Sequence, residues 1–248
     1  MEHIGERYCN RFGSWYTVME KLPKRYYVIL FDNGYSCKKR YDHIKDGEVS
    51  CPYDKTMYRQ CCIGVGDYKV WENGKHTKEY SYYKAIITRC FDEKYKEKEK
   101  TYKDVCLCEE WYNFQNFAKW LNENWYEIDN QLMCVDKDIL IKGNKIYSPQ
   151  TCILVPKSIN SLFVSGKTYR GKNPIGVYEN KDGKFIASCG NGKNEQIYLG
   201  IYNTSSEAFE VYKEYKEKII KQVADEYKNL IPQKLYDAMY RYEVEIDD

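Results

Sequence analysis

At 248 residues the chain is long enough to bury one sizeable core or two to three small ones. Its formal net charge is only +2, so total charge does not announce a polyanion partner, and no stretch approaches the ~20 apolar residues that span a bilayer. The start Met1-Glu2-His3-Ile4-Gly5-Glu6 lacks the basic residues and apolar run of a secretory leader, which sets the expectation of a cytoplasmic protein without a membrane partner. The eleven cysteines are then expected as reduced thiols, because none stands in a Cys-x-x-Cys pair and small buried hydrophobes are their commoner role.

Residues 1–56 read as β. The runs 15–19 and 26–31 are rich in aromatic and branched residues, and Asp32-Asn33-Gly34-Tyr35 is a tight hairpin signal. Gly47 and Pro52 punctuate the end of this stretch. Lys38, Lys39 and Arg40 form a basic edge that either touches a DNA backbone or blocks strand-to-strand aggregation.

Residues 57–131 read as mainly helical. Tyr83, Ile86, Ile87 and Cys90 form one stripe, and Trp111, Phe114, Phe117, Ala118 and Leu121 recur at three and four. The charged run 92–104 predicts a solvated loop, and 105–107 a short strand.

Residues 132–163 are the chemically unusual part. An apolar strand over 132–140 is interrupted by Asp136, Lys137 and Asp138. Gly143-Asn144 is turn chemistry, and Ile146 and Tyr147 start a return strand. Pro156 suits a helix start, with Ile159, Leu162 and Phe163 on one face. Charges where a strand should be dry mark a place to look for function, although such a triplet at a strand end also suits a solvated turn. Residues 139–178 hold six basic groups (Lys142, Lys145, Lys157, Lys167, Arg170, Lys172) and no acid, whereas 222–248 hold seven acids against three basic groups. A basic middle with an acidic tail fits phosphate contacts in the middle.

Residues 174–231 predict three strands, around Val177, 184–188 and 196–202, then a helix opened by the capping box Thr204-x-x-Glu207. A last helix follows Pro232, with Leu235, Ala238, Met239 and Tyr242 at helical spacing.

The ordered set Leu132, Asp136, Asp138, the turn, Pro149-x-x-Cys152 and the helix over 157–163 resembles the ββα-metal core of phage HNH homing endonucleases, in a diverged branch. Arg89-Cys90, Val105-Cys106, Glu110-Trp111, Phe114 and Phe117 resemble the segment that precedes that core, and the N-terminal β stretch resembles a small module of some phage HNH proteins. The resemblance places the metal ligands at Asp136 and Asn160, with Mg²⁺ or Mn²⁺ as the cofactor. It places Lys137 where the family has its general-base histidine and Thr151 where it has the asparagine orienting that histidine. Both are departures. A lysine at its usual pKa near ~10.4 is protonated at neutral pH and serves as a phosphate clamp rather than a base. Gly176-Val177, Lys184-Phe185-x-Ala187, Leu199-Gly200 and Glu207-Ala208 resemble the AP2 DNA-binding domain, whose sheet enters the major groove. That likeness assigns DNA contacts to Tyr178, Asn180, Lys184, Ser188 and Gln196, while the family's groove-reading arginines are mostly absent.

The expected fold is therefore α+β in three modules: a small β module (1–56), an HNH-like domain (57–170) and an AP2-like domain with C-terminal helices (171–248). The expected function is metal-dependent, site-directed cleavage of double-stranded DNA in a phage-infected host. The competing reading is a catalytically degenerate protein of the same fold that regulates DNA or inhibits a host defence protein, as anti-CRISPR proteins do.

Overall fold

A computed structural model describes residues 2–163, 172–192, 195–246 and 248. The chain is mixed α+β and divides into two compact units, 1–123 and 124–248. Among the described residues no helix is long and apolar enough to cross a membrane. No disulfide joins any of the eleven cysteines.

The first unit opens with a four-stranded antiparallel meander, β1 (Arg7–Cys9), β2 (Trp15–Leu22), β3 (Tyr26–Phe31) and β4 (Ser36–Arg40), followed by the short helix α1 (Tyr41–Lys45). The period of two in β2 and β3 buries Tyr16, Val18, Tyr27, Ile29 and Phe31 on one face, against Ile44, Val49 and Cys51. Lys38 and Arg40 point outward on the edge strand β4, where Lys38 lies 4.8 Å from the centre of the Tyr26 ring and Arg40 donates to Asp42.

A small hairpin, β5 (Trp71–Glu72) and β6 (Lys75–His76), leads into α2 (Lys78–Phe91), whose first turn is capped by the Thr77 hydroxyl. Residues 92–104 are not the solvated loop that their charge predicts. They form α3 (Glu93–Lys98) and a 3₁₀ turn (Lys100–Tyr102), because Asp92 accepts from the Tyr95 N–H as an N-cap and the Tyr95 and Tyr102 rings pack 5.7 Å apart. After β7 (Cys106–Leu107), the aromatic helix begins three residues later than its stripe suggests. Residues Glu109–Tyr112 form a 3₁₀ turn, and Asn113 then caps α4 (Phe114–Glu123) by accepting from the Gln115 N–H.

In the second unit β8 (Met133–Asp136) is followed by the short segment β9 (Ile146–Tyr147) and by β10 (Ile153–Pro156). The antiparallel partner of β8 is β10, with Asp136 opposite Ile153, so the return strand lies beyond the expected Ile146. The one-turn helix α5 (Lys157–Asn160) continues as a 3₁₀ turn (Ser161–Phe163) that buries Ile159 and Leu162. Then come the antiparallel strands β11 (Val177–Glu179), β12 (Phe185–Gly190) and β13 (Gln196–Tyr202), the long helix α6 (Ser205–Tyr227) and α7 (Gln233–Arg241). The capping box at Thr204 and Glu207 is formed as expected.

α6 has two partners along its length. Ala208, Phe209 and Tyr212 pack on Val177, Ala187 and Cys189 of the sheet. One to three turns on, Ile219, Ile220, Val223 and Ala224 pack on Ile139, Ile153, Val155 and Ile159, and on Leu235 and Met239 of α7. A boundary at 170/171 would cut this continuous burial, so the motif and the sheet fall in one unit.

Gly176 has φ +74°, and a Cβ there would overlap the Tyr212 ring of α6. Gly183 has a nearly equal φ of +73° with open space around it. Gly183→Ala is expected to cost about 1 kcal/mol, the backbone term alone, and Gly176→Ala about 2–4 kcal/mol, backbone plus overpacking. Urea unfolding of the two variants measures the gap, and equal losses would show that α6 does not press on this turn.

Candidate functional site

Asp136 ends β8 on the same face as Ile153, and that face looks into the apolar core. Its carboxylate is half-buried, and its Oδ1 accepts the N–H groups of Asp138 and Ile139, both at 2.8 Å. This side-chain turn reverses the chain and delivers Ile139 to the core. The Asp138 carboxylate lies near enough for its charge to act on Asp136. Burial first, and the Asp138 charge second, push the Asp136 carboxyl up to about 6, while the two backbone N–H groups pull it the other way without cancelling the rise.

Lys137 is 7% exposed, and its Nζ donates to Asp138 Oδ2 at 2.9 Å. An ammonium held on a carboxylate is a poor proton acceptor, so the base position of the resemblance is filled by a structural cation. Thr151 does not orient Lys137 as an asparagine would orient a histidine. Its hydroxyl donates to the Ile146 carbonyl at 2.7 Å and meets Ser148 Oγ at 2.9 Å, which knits the loop before β10. Asn144 closes the same loop by donating to the carbonyls of Lys137 and Ile146. Asn160 is half-buried at the end of α5, a helix that packs against β8.

Two carboxylates this close make a hard-oxygen pair, and a divalent cation beside them would remove their repulsion. Among the described residues no group of three or more His, Cys, Asp or Glu side chains is placed to hold an ion.

The expected basic face is only partly free. Lys145, Lys157 and Lys172 are exposed. Lys167 and Arg170 lie outside the described residues. Lys142 is tied to the acidic segment 242–248: its Nζ donates to the Glu243 carbonyl at 2.8 Å and pairs with Asp248 at 2.8 Å and Glu245 at 3.4 Å. Lys142, Lys145 and Asp138 line one cleft of about 300 Å³, together with Lys216 and Tyr212 of α6, Tyr242 and Asp248.

Tyr178, Ser188 and Gln196 share the outer face of the three-stranded sheet, opposite α6, with Ile186, Tyr198 and Ile201. Gln196 donates to Ser188 Oγ at 3.0 Å. A bulge at Leu199 and Gly200 keeps both Tyr198 and Ile201 outward although they are three residues apart. This face is aromatic and apolar rather than basic. Asn180 instead holds the β11–β12 turn, its Oδ1 accepting the N–H groups of Asp182 and Lys184, and Lys184 is exposed at that turn.

The structure adds Asp138 as the partner of Asp136, and Lys216, Tyr242 and Asp248 as cleft walls. The Asp-x-Asp spacing was the available signal for the first. The acid excess of 222–248 pointed to the last without naming Lys142 as its partner. The chain matches no protein-family model, no curated protein and no solved structure.

The Asp136 shift has a sign that can be tested in metal-free buffer. A raised carboxyl pKa stabilises the fold below the unfolded value, 3.8, and that contribution is lost as pH rises through about 6. The unfolding free energy of wild type relative to Asp136→Asn should therefore fall by about 2 kcal/mol between pH 4.5 and 7. Paired urea titrations at the two pH values read it, and a pH-independent difference would remove Asp136 as a strained acid.

Proposed function

We propose that the chain is a metal-dependent endonuclease for double-stranded DNA, related in its central unit to the phage HNH homing enzymes. The observation that carries the reading is the pair of acids at the end of β8 in a strand–strand–helix unit, where burial and the neighbouring Asp138 charge push the Asp136 carboxyl up to about 6. Asp136 and Asn160 would hold Mg²⁺ or Mn²⁺. Bound there, the ion would polarise the scissile phosphate and offset charge on the leaving oxygen. Lys137 keeps Asp138 in place, and Asp138 is the carboxylate left to accept the proton of the attacking water. Lys145, Lys157 and Lys172 would meet phosphates, and the outer face of the AP2-like sheet, with Tyr178, Ser188 and Gln196, would lie against bases or sugars. The setting is the cytoplasm of a phage-infected host.

A second reading has an observation of its own. Asp136 already holds two backbone N–H groups and Lys137 already holds Asp138, so both residues can be explained as holding the fold alone. The chain would then be a silent member of the same fold, binding DNA or a host protein.

Incubation with plasmid and phage-type DNA plus Mg²⁺ or Mn²⁺ separates the two. Cleavage by wild type is expected. Asp136→Ala should lose several kcal/mol, roughly 10³-fold or more in rate, while affinity for DNA stays within about twofold. Lys137→Met should also lower the rate, because it frees the Asp138 carboxylate that Lys137 holds. No cutting by wild type with either ion would hand the assignment to the silent reading.

The lysine contacts have a separate readout. Changing Lys157 and Lys172 together to Gln should weaken binding across all sequences and reduce the salt slope by about 2, one phosphate each. A shift assay at several salt concentrations measures this, and an unchanged slope would take the two lysines off the DNA.

A further inference from the structure

Residues 242–246 and 248 are built into the second unit at several points. Val244 is 2% exposed in the sheet-side core, and its N–H donates to Glu217 Oε1 of α6 at 2.9 Å. The Tyr242 ring packs edge-on against Phe163 at 4.8 Å, and Lys142 stands 5.0 Å from the centre of the same ring. Asp248 Oδ2 accepts from the Glu245 N–H and from the Lys142 ammonium. This segment runs along the 300 Å³ cleft, which Lys142, Lys145 and Lys216 approach from two different stretches of chain. Lys216 is half-buried and makes no hydrogen bond or ion pair among the described residues. An ammonium drawn partly out of water without an anion is costly, and an arriving anion would relieve that cost. Asp138, the other acid on the wall, is already matched by Lys137. Asp248 lines the cleft, and Glu245 reaches Lys142 at 3.4 Å from outside it; with both swung away, three lysines would face the cleft against one paired carboxylate.

We infer that this cleft is a phosphate-binding site and that the acidic segment 242–248 is its built-in competitor, its carboxylates standing where bound phosphates would stand. For the identity of the physiological polyanion, DNA, the inference rests on the function proposed above; the lysine cleft and its acidic occupant stand apart from it. The segment lowers affinity for any isolated phosphate and yields to a chain of phosphates that offers more charge than two carboxylates do. Burial lowers the Lys216 pKa from the ordinary lysine value, and an incoming phosphate would push it back up.

The test uses the full chain, with inorganic pyrophosphate and a short labelled DNA duplex as probes at low salt. Glu245→Gln with Asp248→Asn should bind pyrophosphate about tenfold more tightly than wild type, since two close carboxylates compete for the lysines. Adding Lys216→Gln should return the affinity to the wild-type level. Glu97→Gln with Glu109→Gln removes the same charge from the first unit and should change nothing. The single Asp248→Asn, which leaves the Val244 anchor and Glu245 in place, should give about threefold by the same argument, and serves if the double variant does not fold. Pyrophosphate affinity no higher than in wild type, or a gain that survives Lys216→Gln, would overturn the inference. A pyrophosphate gain without any binding of duplex supports the cleft and overturns the DNA reading. Duplex binding and cleavage with no pyrophosphate gain does the reverse.

Discussion

The burial of α6 on two sides is the constraint on which the second unit depends. A helix of 23 residues is about 35 Å long, more than one small sheet or one two-stranded motif can cover. Its first half is covered by the three-stranded sheet and its second half by β8, β10, α5 and α7. Neither partner has a core of its own without it. Two strands and a one-turn helix bury too little to stand alone, and a three-stranded sheet needs a covering layer. The charged turn after β8 is thus held by a helix more than seventy residues later in the chain.

That arrangement explains why Asp136 is strained. Pairing β10 with β8 sets Asp136 opposite Ile153, and Ile153 must face α6. The carboxylate is drawn toward apolar surroundings by its register. Two backbone N–H groups compensate part of the desolvation, and the close Asp138 adds to it. Moving the acid by one residue would turn it to the other face of the strand, where Met133 and Val135 are buried as well, and would lose the turn that it caps. A charge kept in so costly a register is the reason to weigh a function for it, although the turn it makes is a structural use as well.

Local chemistry was legible in the sequence and distant pairing was not. The Asn33-Gly34 turn, the Thr204 capping box, the apolar stripe of α2 and the break at Pro232 each depend on neighbours within four residues, and all are present. Charge alone predicts a loop over 92–104, whereas Asp92 as an N-cap and the Tyr95–Tyr102 contact outweigh it. The return strand was placed at Ile146, since alternation cannot say which later segment pairs with β8; the fully buried β10 does. Thr151 and Asn180 carry side chains of the expected kind, but spend them on loop and turn hydrogen bonds that only coordinates reveal. Lys142 is expected among the phosphate contacts, and its pairing with Asp248, 106 residues away, leaves no local signal.

The charges of the second unit can then be followed as pairs. Lys137 answers Asp138, and Lys142 answers Glu245 and Asp248. Two groups in this neighbourhood are left poorly answered among the described residues: Asp136, crowded by a like charge, and Lys216, half-buried without an anion. They have opposite needs. A cation would relieve the first and an anion the second. Asp138, which crowds Asp136, lines the same cleft as Lys216, so one ligand carrying both signs could serve both ends. A phosphodiester with its divalent counterion is such a ligand, and neither a bare metal nor a bare anion would be. On this argument the metal and the phosphate should each bind more tightly in the presence of the other, and the acidic segment 242–248 should weaken both by holding the lysines that the phosphate needs.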